Sequence, residues 1–283
     1  MVCKQIKIGE RTEVYLETYL YENSGFVQLK KRPAVIVCPG GGYFSCASHE
    51  ADPIAMNFSA AGYQTFVLYY SIGENAVFPN SLIDLCHAVK YVRANAQEFG
   101  IDENNINICG FSAGGHLAAS LGVYWDDPEI RLKSGCQNGE NKPNGLILCY
   151  PVLSHSWICN SGSLQRVAGE IEEEKAKDML NLINHVSPDT PPAFLWHTVR
   201  DGLVPCEDSI YFALKLIENK VPCELHIYPN GEHGAALAKE YVSYVNDPTI
   251  AGWLELAVTW IKRRFENPEE SDAPLNKAQY LKD

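Results

Sequence analysis

Residues 105–119 read N-I-N-I-C-G-F-S-A-G-G-H-L-A-A, and this stretch decides the fold. The apolar run Ile106 to Cys109 leads into the turn Gly110-Phe111-Ser112-Ala113-Gly114. A small-residue helical stretch, His116 to Gly122, leads out. Strand, sharp turn and helix around G-x-S-x-G are what a nucleophile elbow needs. The serine sits in a strained backbone conformation, and a side chain at either flanking glycine would collide with the facing strand or helix. The helix behind Ser112 aims its first N–H groups at negative charge developing above the hydroxyl.

Working outward, the alternation of elements predicts one α/β domain over residues 1–283, a doubly wound, mostly parallel sheet with helices on both faces. Residues 4–20 alternate apolar and polar, which reads as an antiparallel strand pair at a sheet edge. After a polar link over 22–32, Pro33 to Cys38 is a continuous apolar run of the kind buried on both faces of a parallel sheet. Further strands are expected at Thr65–Tyr70, Gly145–Tyr150, Ala193–Trp196 and Cys223–Tyr228. Helices are expected at Pro53–Ala61, Ser81–Phe99, Glu207–Asn219 and Thr249–Glu266. Residues 151–190 interrupt the alternation with an irregular piece (151–169) and a charged helix (170–185). Forty residues is too long for a simple crossover, so this segment reads as a small lid or cap over the site. Residues 267–283 read as a polar tail.

A serine hydroxyl needs an imidazole to accept its proton, and the imidazole needs a carboxylate to fix its tautomer. His233, in P-N-G-E-H-G, follows the strand ending at Tyr228. Asp201, in H-T-V-R-D-G-L-V-P, follows the strand ending at Trp196. Asp189, in the turn P-D-T-P-P, and Asp208, in the first turn of a helix, are its rivals. The order Ser112, Asp201, His233 is the order of an α/β hydrolase. An oxyanion hole is expected from the glycine loop Pro39 to Tyr43, with Gly41, Gly42 and the N–H of Ala113 as donors, each worth about 3 kcal/mol in the transition state. His49 and Glu50 follow that loop and either touch substrate or tie the loop down. His116 reads as a packed core histidine and His197 as structural.

The stretches C-P-G-G-G-Y, V-L-Y-Y-S-I, G-F-S-A-G-G-H-L-A-A, H-T-V-R-D-G-L-V-P and G-E-H-G, spread over residues 33–234, resemble the α/β-hydrolase esterases and lipases that use an H-G-G-G loop. The likeness is greatest to the acetyl-xylan esterase-like, sugar-ester branch. Residue by residue, the resemblance implies Ser112 as nucleophile, His233 as base, Asp201 as its orienter, and Gly41, Gly42 and Ala113 as oxyanion donors. Tyr43, Tyr70, Trp157 and Val204 are expected as walls of a substrate pocket. Two positions depart: Pro39 stands in place of the histidine of H-G-G-G, and Ser71 in place of an arginine that often follows the tyrosine. These departures weaken any transfer of long-chain lipase preferences.

Composition narrows the partners. A net charge of −12 argues against nucleic acid and anionic membrane. No carboxylate or histidine cluster at ligand spacing suggests a metal, and no cofactor is implied. The ten cysteines are scattered, with Cys38, Cys109 and Cys149 inside apolar runs, which reads as buried thiols in a cytoplasmic protein. Neither a signal-peptide core nor a bilayer-length apolar stretch is present in these residues. The expected activity is hydrolysis of small carboxylic esters, with acetylated sugars or xylo-oligosaccharides as the favoured substrates. A general short-chain carboxylesterase, a prolyl-oligopeptidase-like peptidase, an arylformamidase and a non-catalytic ligand-binding protein are the alternatives, and a homodimer is left open.

Overall fold

The computed structural model describes residues 1–22, 31–154 and 162–266. Eight strands form one sheet in the order β1-β2-β4-β3-β5-β6-β7-β8. β1 (Gln5–Lys7) and β2 (Tyr15–Tyr19) pair antiparallel at one edge, and β2 joins β4 (Gln64–Tyr69) antiparallel. β3 (Arg32–Cys38), β4, β5 (Ile101–Phe111), β6 (Gly145–Cys149), β7 (Ala193–Thr198) and β8 (Cys223–Tyr228) run parallel. This is an α/β-hydrolase sheet.

The apolar runs that mark these strands split by alternate residues between two cores, as pleating demands. Ala34, Ile36 and Cys38 of β3 face one core, with Leu85 and Val89 of α2 (Asn80–Ala94), Leu117 of α4 (Ser112–Tyr124) and Phe212 of α8 (Glu207–Glu218). Val35 and Val37 face the other, with Phe58 of α1 (Asp52–Ala60) and Trp253, Ala257 and Trp260 of α10 (Trp253–Glu266). The strands therefore hold their C-terminal ends rigidly, and the loops that leave those ends carry the candidate chemistry.

Several expectations are corrected. The helix expected over 81–99 is two, α2 and α3 (Ala96–Phe99), because Asn95 leaves helical geometry and its side-chain amide donates to the Tyr91 carbonyl at 2.8 Å. Gly100 ends α3 in the left-handed region, as its position suggested. The C-terminal helix is likewise divided, into α9 (Pro248–Ala251) and α10. The helix α5 (Pro128–Ser134) has no counterpart in the sequence reading, although Asp127 caps it, Pro128 opens it and Gly135 closes it. In the segment over 151–190, the supposedly irregular part contains α6 (Ser163–Ala168). The charged helix is only α7 (Glu173–Met179), begun by the Glu172 carboxylate accepting from the N–H groups of Glu174 and Lys175. Most of the 22–32 link, residues 155–161 and the tail lie outside the described residues. Among the described residues nine cysteines are free, and no helix is long and apolar enough to cross a membrane.

Candidate active site

β5 runs directly into α4, and Ser112 at the junction has φ 51°, the strained geometry of an elbow. The glycines on either side are required by close approach. A methyl group on Gly110 would strike the Gly114 carbonyl, and one on Gly114 would strike the carbonyl oxygens of Cys38 and Pro39 at the end of β3. The serine is thus raised above the sheet at the first turn of α4.

The loops after β7 and β8 bring the partners to it. His233 Nε2 lies 2.8 Å from Ser112 Oγ, and His233 Nδ1 lies 2.7 Å from Asp201 Oδ2. A carboxylate can only accept, so Nδ1 carries the proton and the Nε2 lone pair faces the serine hydroxyl. Asp201 is held from several sides. Its Oδ1 accepts from the N–H groups of Leu203 and Val204 at 2.9 and 2.8 Å, and Oδ2 also accepts from His197 Nε2 at 3.2 Å. Burial pushes this carboxyl up, but the hydrogen bonds from His197, His233 and the Val204 N–H outweigh it and hold it well below the usual range. His197 is fully buried, with Nδ1 accepting from the Ser209 hydroxyl at 2.8 Å and Nε2 also donating to the Val204 carbonyl at 3.1 Å. Its role is to fix Asp201. The rivals lie elsewhere: Asp208 accepts from Leu153, Ser154 and the Ser154 hydroxyl, and the Asp189 carbonyl accepts from Trp125.

Gly41, Gly42 and Ala113 line the same cleft as Ser112 and His233, a cavity of about 450 Å³. The N–H of Ala113 belongs to the first turn of α4, where a helix has no internal acceptor. Gly41 and Gly42 have φ of 120° and 63°, and a methyl group on Gly41 would strike the Ser45 carbonyl, so the loop closes only with glycine there. Val204 lines the cleft, with Leu203, Val152, Ser163 and Tyr244 beside it.

Tyr43 and Tyr70 do not. Both are only 2% exposed; Tyr43 Oη pairs with His116 Nδ1 at 2.9 Å and Tyr70 Oη donates to the Pro39 carbonyl at 2.6 Å. Tyr70 thus braces the glycine loop at Pro39, Tyr43 at the end of that loop is pinned to α4 through His116, and both rings belong to the core. Trp157 lies outside the described residues. His116 is fully buried, and desolvation pulls its pKa down to about 4 despite the Leu180 carbonyl, so it is neutral. Sequence reasoning overlooked Tyr150, whose ring meets the His233 imidazole edge-on at 5.1 Å, and Tyr244, whose hydroxyl donates to the His233 carbonyl. Among the described residues no group of three or more His, Cys, Asp or Glu could hold a metal.

The BD-FAE family model matches residues 20–216. Endo-1,4-beta-xylanase B of Butyrivibrio fibrisolvens is 36% identical over 231 residues, 79% of this chain and 34% of the relative. Acetylxylan esterase of Xylanibacter ruminicola is 30% identical over 71% of this chain and 40% of its own length. The chain thus spans well under half of these curated relatives. Among solved structures, the acetyl ester-xyloside bifunctional hydrolase of Caldicellulosiruptor lactoaceticus superposes with TM-score 0.79 at 34% identity, over 92% of this chain and 95% of that one. The carboxylesterase Cest-2923 of Lactobacillus plantarum superposes with TM-score 0.85 at 25% identity, over 94% and 98%. By family match, sequence and fold, the chain belongs to the BD-FAE family of α/β hydrolases.

Proposed function

We propose that the chain is a carboxylic-ester hydrolase acting through Ser112, His233 and Asp201, with acetyl esters of sugars as its substrates. The observation that carries the reading is the unbroken hydrogen-bond chain from Ser112 Oγ through His233 to Asp201, at 2.8 and 2.7 Å. His233 Nε2 takes the hydroxyl proton as Ser112 Oγ attacks the ester carbonyl, and Asp201 stabilises the imidazolium that forms. The oxyanion of the tetrahedral intermediate is met by the N–H of Ala113 and by Gly41 and Gly42. His233 then protonates the departing alcohol. It next deprotonates a water that attacks the acyl-serine, and the acid leaves with Ser112 regenerated.

The substrate class is supported by relatives named as a xylanase, an acetylxylan esterase and an acetyl ester-xyloside hydrolase. A cleft with Val152, Leu203 and Val204 beside the serine suits a small apolar acyl group. The test is hydrolysis of p-nitrophenyl esters from acetate to octanoate, alongside acetylated xylo-oligosaccharide. Fast acetate cleavage that collapses by butyrate, with acetate released from the sugar, is the expected result. A broad or rising acyl profile without sugar deacetylation would make this a general carboxylesterase. Absence of turnover on every ester would contradict the proposal.

A further inference from the structure

At the wall of the cleft, beside the glycine loop and next to His49, lies a buried carboxylate that the reaction itself does not use. Glu50 is 2% exposed, in the short 3-10 turn Ser48–Glu50. Its Oε2 accepts the N–H of Gly40 at 2.8 Å, and its Oε1 accepts the hydroxyl of Tyr150 at 2.6 Å. The Tyr150 oxygen in turn accepts the N–H of Ala236 at 2.9 Å, three residues past His233, and the Tyr150 ring packs edge-on against the His233 imidazole at 5.1 Å. Burial, then the charge of Glu50 and the hydrogen bond to it, push the Tyr150 phenol well up, so it stays a donor.

Two side chains, Glu50 and Tyr150, therefore join the loop that carries Gly41 and Gly42 to the loop that carries His233, from positions 40, 50, 150 and 236 in the chain. The contact is tight: a methyl group on Gly40 would lie 2.6 Å from Glu50 Oε2 and 2.8 Å from the Phe111 carbonyl. A buried carboxylate is expensive to desolvate, and one hydrogen bond could be met by any neutral acceptor. Two donors met at once by two oxygens is what a carboxylate alone supplies. A carboxamide would turn an NH2 towards one of them.

We infer that Glu50 is a positioning residue that sets the oxyanion loop and His233 at a common distance from Ser112. This inference rests on the ester-hydrolase reading above. Its effect belongs to the transition state, because the donors of the loop act on charge that is absent from the bound ester.

The test is kcat and KM on p-nitrophenyl acetate for Glu50→Gln, Tyr150→Phe and the double variant, with active sites counted by a fluorophosphonate and melting temperatures recorded. Glu50→Gln is expected to lower kcat per counted site at least tenfold with KM within twofold. Tyr150→Phe should lower it severalfold, and the double variant should be no slower than Glu50→Gln, since both act through one linkage. A purely structural Glu50 would reduce melting temperature and the count of active sites while leaving kcat per site at the wild-type value, and that result overturns the inference. If Glu50→Gln does not fold, Tyr150→Phe decides alone: wild-type kcat per site rejects the linkage. An inactive wild type would remove the hydrolase reading and this inference together; an active wild type with an unchanged Glu50→Gln removes only the inference.

Discussion

The floor of the cleft and the segment that follows β6 are held by different means. On the floor, Ser112, Asp201 and His233 each follow a parallel strand of the sheet, β5, β7 and β8, and Asp201 alone accepts four hydrogen bonds. In the segment, α7 buries only Ala176, and Lys177 reaches Glu173 and Glu174 on an exposed face. Where the segment leaves β6 it is tied closely, with the Val152 N–H on the Ser112 carbonyl and the Asp208 carboxylate on Leu153 and Ser154. Near its two helices the ties run through backbone carbonyls: Met179 accepts from the Tyr124 hydroxyl, Leu180 from His116 Nε2 and Val167 from the N–H of Phe78. Chemistry demands fixed distances, which strand ends supply; selecting among esters needs only a shaped wall, which a short-helix segment can vary. Changes on the floor should therefore strike rate, and changes on the exposed face of α7 should leave rate alone.

The largest expected effect is at the serine. Ser112→Ala should lower kcat by on the order of 10^6-fold, to background, with circular dichroism unchanged; residual turnover near wild type would break the comparison at its root. Asp201→Asn comes next, with a loss of about 10^4-fold in kcat on the same esters, because the amide can no longer hold His233 in the tautomer that presents its lone pair to Ser112.

A smaller effect belongs to the joint between the two regions. His116, on α4 of the floor, stays neutral down to about pH 4, whereas in the unfolded chain it takes a proton below about pH 6.5. Between those values the unfolded state binds more protons, so stability is full above pH 6.5 and falls as pH drops. Urea unfolding should show about 2 kcal/mol lost to this group between pH 7 and pH 5, and His116→Gln should flatten that slope. An equally steep slope in the variant would show that the joint does not carry it. The smallest effect is expected at Lys177→Ala, which should leave both melting temperature and kcat at wild type, since exposed ion pairs contribute little. A loss of rate there would mean that α7 reaches the chemistry.

The legible parts of the molecule were those where local sterics or periodicity leave one solution. Gly110 and Gly114 mark a close approach that no other residue permits, and the runs at β3, β6 and β7 announce strands buried on both faces. Asp201 and His233 could be placed because each lies in the loop that leaves the C-terminal end of a strand, β7 and β8. What stayed hidden depends on where a ring points or on pairs distant in sequence. Nothing local tells that Tyr43 and Tyr70 turn into the core, or that Glu50 meets Tyr150 one hundred residues later. α5 is different: its cap signals, Asp127-Pro128 and Gly135, stood in the sequence and were overlooked.

The most direct test of the central claim is the mass of the intact chain, and of its peptides, after reaction with a fluorophosphonate. The account predicts one adduct per chain, on Ser112, with esterase activity lost in proportion to labelling and no adduct in Ser112→Ala. An unlabelled chain that still hydrolyses esters, or an adduct on another residue that abolishes turnover, would contradict it.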